Sequence, residues 1–311
     1  MTKVFIDGSS GTTGLQIRER LAARRDLKIV TLPEPQRKDP EARADAINGA
    51  DIVFLCLPDA AAVEAAGFVK NPDTCVIDTS TAHRTDPDWV YGFAELGKQS
   101  AIASAKRIAN PGCHATGFIS AVYPLVAGGL LSADALLSCF SLTGYSGGGK
   151  SMIADYEAAD RDALLSGPGI YALGQSHKHI PEIVQVCGLK HAPVFCPIVD
   201  DYFKGMATTV PLHIAQLSGI QTLRQLREAL ADFYAGQALV HVADEAGTAA
   251  YGKIYGNAMA GRDALELIVA GNDERCTVTA LFDNLGKGAS GAAIQNMNLA
   301  LGMEPTAGLV L

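Results

Sequence analysis

Short, continuous apolar runs alternate with amphipathic segments over the first third of the chain. The runs have the length and the unbroken hydrophobicity of strands buried on both faces, and they lie at residues 3–7, 27–32, 50–57 and 74–78. Between them, apolar residues recur at helical spacing after residue 14, at 41–48 and at 60–69. This alternation predicts an α/β domain with a doubly wound parallel sheet.

The pattern changes after residue 110. Helical patterns at 112–128, 151–165 and 221–234 are outnumbered by runs typical of strands, at 136–143, 193–199, 206–214, 238–243, 265–270 and 276–282. We therefore expect an α+β domain with a mixed or antiparallel sheet over residues 111–284, for which the family resemblance given below implies the role of a substrate and dimerisation domain. The first domain should comprise residues 1–110, joined by a C-terminal helix within 285–311, where residues 289–301 have a helical pattern.

The composition excludes several classes of partner. A chain of 311 residues can bury two cores, and a net charge of -8 disfavours nucleic acid and anionic membrane surfaces. No apolar run approaches the roughly 20 residues of a membrane span, and no signal-peptide pattern precedes residue 8. We expect a cytoplasmic protein that acts on a small molecule.

Seven cysteines are spread along the chain without any C-x-x-C pair. An odd number at these spacings argues against a disulfide framework and against a metal site. Most of them are expected to be small buried hydrophobes.

A glycine-rich loop follows the first predicted strand. Gly8, Gly11 and Gly14 stand between that strand and a helical pattern, with Ser10, Thr12 and Thr13 among them. A helix start in this position presents free N–H groups to a pyrophosphate, as in Rossmann-type domains. The spacing departs from G-x-G-x-x-G, so a tight turn without a ligand is the alternative to dinucleotide binding.

The residues after the second predicted strand bear on the choice of cofactor. Glu34 lies about 20 positions after the loop, where an acidic residue binds the ribose of NAD. Arg37 and Lys38 stand beside it and can hold a 2′-phosphate, which favours NADP. The alternative for both cations is a solvated loop.

Cys113 differs from the other six cysteines in its setting. Pro111 and Gly112 directly precede it, and an apolar helical pattern follows. Cys113 is thus predicted at a helix N-terminus, where the macrodipole and open N–H groups favour the thiolate. This is the setting of a nucleophile.

Together these motifs resemble the N-acetyl-gamma-glutamyl-phosphate reductases of arginine biosynthesis, which are relatives of aspartate-semialdehyde dehydrogenase. The resemblance covers nearly the whole chain and looks closer to the shorter branch of the family. It rests on segments that occur in the family's order: 8–14, 77–84, 91–96, 109–113, 144–150, 177–183 and 283–289. Common members carry Tyr and Val where this chain has His114 and Gly286.

The resemblance implies a thioester mechanism. Cys113 attacks the acyl phosphate and expels phosphate, and NADPH reduces the thioester to the semialdehyde. His177 and His179 are the candidate proton carriers, expected on one side of an extended segment before a helix that starts near Pro181. Glu182 is the candidate that orients one of them. His114 is given no catalytic role, because neighbours along a helix do not face each other.

The resemblance also implies binding residues. Ser146, Gly147 and Asn284 are expected at the nicotinamide cofactor. Ser80, Arg84, Arg107 and Asn110 are the candidates for the substrate, the two arginines as anion contacts. A structural role for Arg84 and a flexible turn at 147–149 are the alternatives. Family membership further implies a homo-oligomer, a dimer or a tetramer.

Three other interpretations remain at this point. A sibling reductase, such as aspartate-semialdehyde dehydrogenase, shares the chemistry but takes a shorter substrate. A non-catalytic NADP-binding sensor shares the fold but not the activity. A cysteine hydrolase shares the cysteine and histidine but leaves the loop at Gly8 without a role.

Overall fold

The computed structural model describes all 311 residues, and the chain divides into two compact units. The first unit consists of Met1–Gly112 and Ala289–Leu309. The second unit, which contains Cys113 and is called the cysteine unit below, consists of Cys113–Gly288 and Val310–Leu311. None of the helices combines the length and the hydrophobicity needed to cross a membrane.

The first unit is built on a six-stranded sheet in the order β2-β1-β3-β4-β6-β5, with every neighbouring pair parallel. Its strands are β1 (Thr2–Asp7), β2 (Leu27–Val30), β3 (Ile52–Leu55), β4 (Cys75–Asp78), β5 (Val90–Tyr91) and β6 (Arg107–Ala109). The strand order reverses direction at β1, which is the mark of a doubly wound sheet.

Helices cover both faces of this sheet. They are α1 (Thr12–Leu21), α2 (Pro40–Asn48), α3 (Asp59–Gly67), α4 (Gln99–Ser104) and α10 (Gly291–Ala300). Alternate residues of β1 point to opposite faces, so Val4 packs with α1 and α10 residues while Phe5 packs with α2 and α3 residues. The predicted doubly wound domain is confirmed. The short elements β5, β6 and α4 were not predicted, because segments of two to six residues carry too little periodicity.

The second unit contains a seven-stranded mixed sheet in the order β11-β12-β13-β10-β7-β9-β8. Its strands are β7 (Ser138–Gly144), β8 (Gly169–Ile170), β9 (Val194–Asp200), β10 (Met206–His213), β11 (Val240–Val242), β12 (Leu265–Gly271) and β13 (Arg275–Phe282). The pairs β7·β9 and β11·β12 are parallel and the other four are antiparallel. The predicted α+β domain with a mixed sheet is confirmed.

One face of the mixed sheet is covered by helices. The helices of this unit are α5 (Cys113–Ala127), α6 (Gly149–Glu157), α7 (Ile180–Cys187), α8 (Leu223–Phe233) and α9 (Glu245–Tyr251). Helix α5 packs on β10 and β13, and α7 and α8 pack beside it. The approach is close, because a Cβ atom at Gly117 would lie 2.3 Å from the Thr208 Oγ1 atom on β10.

The other face is covered only in part. Tyr251, Ile254 and Met259 pack over β10, β12 and β13, whereas apolar side chains of β7, β8 and β9 remain open. Phe140, Ile170 and Val194 are 47%, 61% and 58% exposed. An apolar sheet face of this kind is suited to contact with another protein surface.

Two predicted helices differ from the structure. The helix expected at 151–165 ends at Glu157, where Ala158 is extended and the Asp162 carboxylate starts a new turn by accepting from the Leu164 N–H at 2.9 Å. The segment expected as a C-terminal helix begins with a π-helix, Gly286–Ser290, and α10 then ends at Ala300. The spacing of hydrophobic residues alone does not predict where a helix ends or where its hydrogen-bond pattern changes.

Candidate active site

The glycine loop has the backbone of a dinucleotide cradle. Gly8 has a φ of +84°, and a Cβ atom there would lie 2.2 Å from the Cys56 carbonyl oxygen. A Cβ atom at Gly14 would lie 2.4 Å from the Gly8 carbonyl oxygen, so both positions require glycine. Helix α1 starts at Thr12 after Gly11, and no side chain caps its first N–H groups. These donors suit a phosphate group.

A cavity of about 570 Å³ adjoins this loop. Gly8 and Ser10 line one part of it, and Glu34, Arg37 and Lys38 line another. The Arg37 Nη1 atom lies 3.6 Å from the Glu34 Oε2 atom, and both side chains are exposed. The structure therefore brings the glycine loop and the two cations to one cavity, and this arrangement fits a dinucleotide.

Ser80 belongs to a buried network at the carboxyl end of β4. Its hydroxyl donates to the Asp78 Oδ2 atom at 2.7 Å and accepts from the Ala82 N–H at 3.1 Å. The same Asp78 oxygen lies 2.6 Å from the His83 Nδ1 atom, and the His83 ring stacks on Trp89. Ser80 is thus held by the protein itself, and Asp78 and His83 are polar residues that the motif analysis did not assign.

Arg84 and Asn110 lie at the same edge of the first sheet. The Arg84 Nε atom donates to the Asn110 carbonyl at 2.9 Å, and its Nη2 atom donates to the Thr79 carbonyl at 3.1 Å. The Asn110 side chain donates to the Ala289 carbonyl at 3.1 Å and accepts from Asn296 at 3.1 Å. The Asn110 amide thus ties β6 to the last helix, which disfavours the predicted substrate contact.

Arg107 is separated from the other candidates of its unit. It begins β6, whereas Asn110 follows the end of that strand, and its Nη1 atom donates to the carbonyls of Thr74 and Lys106 at 3.4 and 2.9 Å. Ligands bind at the carboxyl ends of strands in open α/β sheets. The expectation that Arg107 binds the substrate is therefore not supported, because its side chain is held at the amino ends of the strands, opposite to the ends where ligands bind.

Cys113 is the first residue of α5, as its sequence context predicted. Its side chain is partly exposed, and the fifteen residues of α5 direct their dipole at it. The other thiols are set differently. Burial raises the pKa of the Cys56 thiol to about 12 and that of Cys75 and Cys276 to about 11, and it also raises the pKa of Cys139 and Cys187. These five are poor nucleophiles.

The histidines form a cluster beside the start of α5. The ring centres of His177 and His179 lie 4.8 Å apart, and that of His114 lies 5.3 Å from the former and 5.6 Å from the latter. The segment was expected to be extended, but His179 has helical backbone angles and directly precedes α7. A turn rather than a strand brings the two rings to one place. Glu182 is buried in the first turn of α7.

Three candidates for the nicotinamide meet at one point in the cysteine unit. The Asn284 Nδ2 atom donates to the Ser146 hydroxyl at 3.0 Å, and its Oδ1 atom accepts from the Gly205 N–H at 2.8 Å. Gly147 is adjacent, because a Cβ atom there would lie 3.6 Å from the Asn284 Nδ2 atom. The structure thus brings Asn284 to Ser146 and Gly147, which are far from it in sequence.

Two family models account for most of the chain. The semialdehyde dehydrogenase NAD binding domain matches residues 3–105, and the semialdehyde dehydrogenase dimerisation domain matches residues 113–284. The chain belongs to the semialdehyde dehydrogenase family.

Curated relatives narrow the position of this semialdehyde dehydrogenase within the family. An N-acetyl-gamma-glutamyl-phosphate reductase of Burkholderia cenocepacia is 48% identical over 308 residues, covering 98% of each chain. A protein of the same name from Brucella anthropi is 47% identical over 306 residues, covering 96% of this chain and 98% of the relative. The chain groups with proteins of this name.

Solved structures share the fold of this semialdehyde dehydrogenase. Aspartate semialdehyde dehydrogenase II of Vibrio cholerae, complexed with ASA, superposes with a TM-score of 0.72 at 15% identity, over 97% of this chain and 98% of that one. The Candida albicans aspartate semialdehyde dehydrogenase with NADP gives a TM-score of 0.64 at 14% identity, over 96% and 99%. At these identities the likeness shows the two-domain architecture alone.

This semialdehyde dehydrogenase also contains site residues that the sequence did not reveal. His114 is buried, and its Nε2 atom lies 2.7 Å from the Tyr171 hydroxyl. Burial, reinforced by His177 and Lys178, lowers the pKa of His114 to about 3, so the ring is neutral and is not a general base. Tyr171 stands six residues before His177 without any motif of its own.

Proposed function

We propose that this chain is an NADPH-dependent N-acetyl-gamma-glutamyl-phosphate reductase that forms N-acetylglutamate 5-semialdehyde in arginine biosynthesis. The observation that carries the proposal is the position of Cys113, which opens α5 directly before His114, a member of the histidine cluster. The names of relatives with 46–48% identity support the same substrate.

The cofactor is held by the first unit. The uncapped N–H groups at the start of α1 bind the pyrophosphate, with Ser10, Thr12 and Thr13 beside them. Arg37 and Lys38, which line the same cavity, bind a 2′-phosphate and give the preference for NADP. Bound NADPH supplies the hydride that reduces the thioester.

Cys113 performs the covalent chemistry. Its thiolate attacks the acyl carbon, a C–S bond forms, and the bond from carbon to the phosphate oxygen breaks. After reduction, the C–S bond of the thiohemiacetal breaks, which releases the semialdehyde and restores the thiolate. The raised pKa values of Cys56, Cys75, Cys139, Cys187 and Cys276 support Cys113 as the nucleophile.

The histidine cluster moves the proton. His177 or His179 takes up the hydroxyl proton of the thiohemiacetal as its C–S bond breaks, since imidazoles titrate near neutral pH. His114 does not carry this proton, because burial keeps its ring neutral. Glu182, buried in the first turn of α7, follows His179 by three residues and orients this pair.

Each unit contributes its own group of polar residues to ligand binding. Ser146, Gly147 and Asn284 form one group that receives the nicotinamide end of the cofactor. Arg84, fixed at the carboxyl edge of the first sheet, and Ser80 beside it contact the anionic substrate. Asn110 contributes through its backbone carbonyl, which accepts from Arg84, because its side-chain amide is hydrogen-bonded to Ala289 and Asn296.

The predicted domains have separate roles: residues 1–110, joined by the C-terminal segment 285–311, bind the cofactor, and residues 111–284 carry the catalytic residues. The exposed apolar face of β7, β8 and β9 is the surface through which two copies of the chain associate. A match to a dimerisation domain over 113–284 supports this assignment. We further propose that the oligomer works in the cytoplasm.

The reverse reaction tests the proposal. The enzyme should oxidise N-acetylglutamate 5-semialdehyde and reduce NADP only with phosphate or arsenate present, because the thioester needs an oxyanion acceptor. Aspartate semialdehyde should be a poor substrate. Each buried group that it leaves unpaired costs roughly 1–3 kcal/mol, which corresponds to about 5- to 150-fold in rate.

The outcomes separate the alternatives. Preference for aspartate semialdehyde would indicate the sibling reductase, and turnover without phosphate would indicate an enzyme that releases free acid. NADP binding without activity on any aldehyde would indicate a sensor.

A further inference from the structure

A chain of hydrogen bonds leads from the centre of the mixed sheet to Tyr171. The Thr208 Oγ1 atom lies 2.8 Å from the Ser141 Oγ atom, which lies 2.7 Å from the His114 Nδ1 atom. The His114 Nε2 atom in turn lies 2.7 Å from the Tyr171 hydroxyl. None of these four side chains has a part in the mechanism described above.

The proton of Thr208 fixes the direction of the first bond. The Thr208 side chain is fully buried, and the Ser141 oxygen is its hydrogen-bond partner. If Ser141 donated to Thr208, the Thr208 proton would be buried without an acceptor, at a cost that native structures avoid. Thr208 therefore donates to Ser141.

The same reasoning assigns the donors and acceptors of the next two hydrogen bonds. The Ser141 hydroxyl has one proton and, having accepted from Thr208, donates it to the His114 Nδ1 atom. A neutral imidazole that accepts at Nδ1 carries its proton on Nε2. His114 is neutral, because burial lowers its pKa to about 3. Its Nε2–H group therefore donates to the Tyr171 oxygen.

The Tyr171 hydroxyl is left with its own proton directed away from His114. Tyr171 is only partly buried, so part of its side chain is open to a ligand. The residue belongs to the reaction centre, because its ring centre lies 5.9 Å from that of His177 and because its partner His114 follows Cys113. Burial and the negative charge of Cys113 raise the pKa of Tyr171, so the hydroxyl keeps its proton.

We propose that Tyr171 is a further catalytic residue, whose hydroxyl donates a hydrogen bond to the acyl oxygen of the substrate, and that His114 is the positioning residue that fixes the direction of its proton. The proposal rests on the reductase function given above. As the Cys113 sulfur bonds to the acyl carbon, the C=O electron pair moves to oxygen, and Tyr171 stabilises that charge without transferring its proton. The electron pair returns to the C=O bond when phosphate leaves the acyl carbon.

The tautomer of His114 tests the positioning role without substrate or turnover. In protein with ¹⁵N-labelled histidine, His114 should show a protonated Nε2 atom, assigned by its loss in His114→Gln, and its shifts should stay constant from pH 5 to 9. Ser141→Ala removes the donor to Nδ1 and should convert part of the population to the other tautomer. A proton on Nδ1 in the wild-type protein would overturn the proposal.

Kinetics of Tyr171→Phe test the catalytic role. We expect kcat to fall by about 100-fold or more, the usual effect of removing one donor to an oxyanion, with KM for the semialdehyde within about threefold. The rate at which iodoacetamide alkylates Cys113 should stay at the wild-type value, since that reaction forms no oxyanion. Ser141→Ala should lower kcat in the same direction by a smaller factor.

Ser120→Ala is the matched control, because it removes a buried hydroxyl from the same helix as His114 but outside the hydrogen-bonded chain. It should leave kcat and the His114 tautomer unchanged. Turnover of Tyr171→Phe within twofold of wild type would exclude the catalytic role. If instead the wild-type enzyme does not oxidise N-acetylglutamate 5-semialdehyde, the proposed function fails, and the NMR measurement still decides the direction of the hydrogen bonds.

Discussion

The glycine-loop cavity and the histidine cluster differ in how the chain builds them. The cavity is formed by two short segments, 5–10 and 32–38, with Leu57, and it offers mainly backbone donors and exposed cations. The histidine cluster and the side chains that hydrogen-bond to His114 come from α5, β7, β10 and the segment before α7. The proposed cofactor site is therefore formed mainly by residues close together in sequence, whereas the proposed catalytic site depends on packing between distant elements.

This difference predicts that each region can be damaged while the other still works. Changes at the cavity should alter affinity for the dinucleotide, and changes at the cluster should alter turnover and stability. Four measurements test this separation.

Replacing the nucleophile should have the largest effect. Cys113→Ala should lower turnover by at least about a thousandfold while the dissociation constant for NADP changes by less than about threefold, because the thiol forms the covalent bond and the loop holds the cofactor. Stopped-flow turnover and fluorescence titration with NADPH measure the two quantities.

Cys196→Ser is the control, since Cys196 is the other partly exposed thiol of the cysteine unit. It should be as active as wild type, and iodoacetamide should alkylate Cys113 faster than Cys196 at neutral pH. Residual activity of a few per cent in Cys113→Ala would exclude the thioester mechanism.

Loss of one histidine should have the next largest effect. Of His177→Asn and His179→Asn, the variant that lacks the proton carrier should lose about 100-fold in turnover, and its pH profile should become flat near neutrality. The exposed His191, changed in the same way, is the control. If both variants turn over like His191→Asn, the cluster is structural and the base lies elsewhere.

The cations of the cavity should have a smaller effect, confined to the cofactor. Replacing both Arg37 and Lys38 by Ala should raise KM for NADP by about 30-fold, because the two charge-assisted contacts to a phosphate together contribute on the order of 2 kcal/mol, and should leave KM for NAD nearly unchanged. Lys98→Ala removes an exposed cation of the same unit and should change neither constant. Equal losses with NADP and NAD would contradict a 2′-phosphate site.

Buried His114 should make the protein sensitive to acid. Its pKa is about 3 in the folded chain and about 6.5 in the unfolded chain, so below pH 6.5 the unfolded state binds the additional proton. Stability should therefore decrease as the pH falls from 6.5 towards 3, by up to about 1.4 kcal/mol per pH unit from this residue.

Urea unfolding at several pH values measures this contribution. His114→Gln should be less stable than wild type at pH 7, because it breaks the bonds to Ser141 and Tyr171, and the difference should shrink as the pH is lowered. His191→Gln should show a constant difference. A gap that widens in acid would mean that His114 is protonated in the folded state.

Much of the fold could be predicted because its signals are local. Continuous apolar runs correspond to β1, β3 and β4, and the spacing of apolar residues identified α5 and α8. The elements that escaped prediction are short, such as β5 and β8 with two residues each. The predicted helix at 151–165 was too long, since the new turn after the extended Ala158 depends on one hydrogen bond that the Asp162 carboxylate accepts rather than on hydrophobicity.

The site was predictable where a motif and its surroundings coincide, as at Cys113 before an apolar helix. Arg107 shows the opposite case, because its distance from Cys113 in sequence says nothing about which end of β6 faces a ligand. His114 was set aside by the rule that helix neighbours diverge, yet its ring packs with the other two histidines. Ser141 and Thr208 carry no sequence signal, since their role exists only after β7 and β10 have paired.

The close approach of α5 to β10 at Gly117 has an evolutionary consequence. Any side chain at position 117 would meet the hydroxyl of Thr208, which begins the series of hydrogen bonds that ends at Tyr171. A substitution at Gly117 is therefore tolerated only if position 208 becomes smaller, and a smaller residue there removes the hydroxyl or moves it. The two positions must therefore change together or remain as they are, so drift is restricted at Gly117, a residue that takes no part in the chemistry itself.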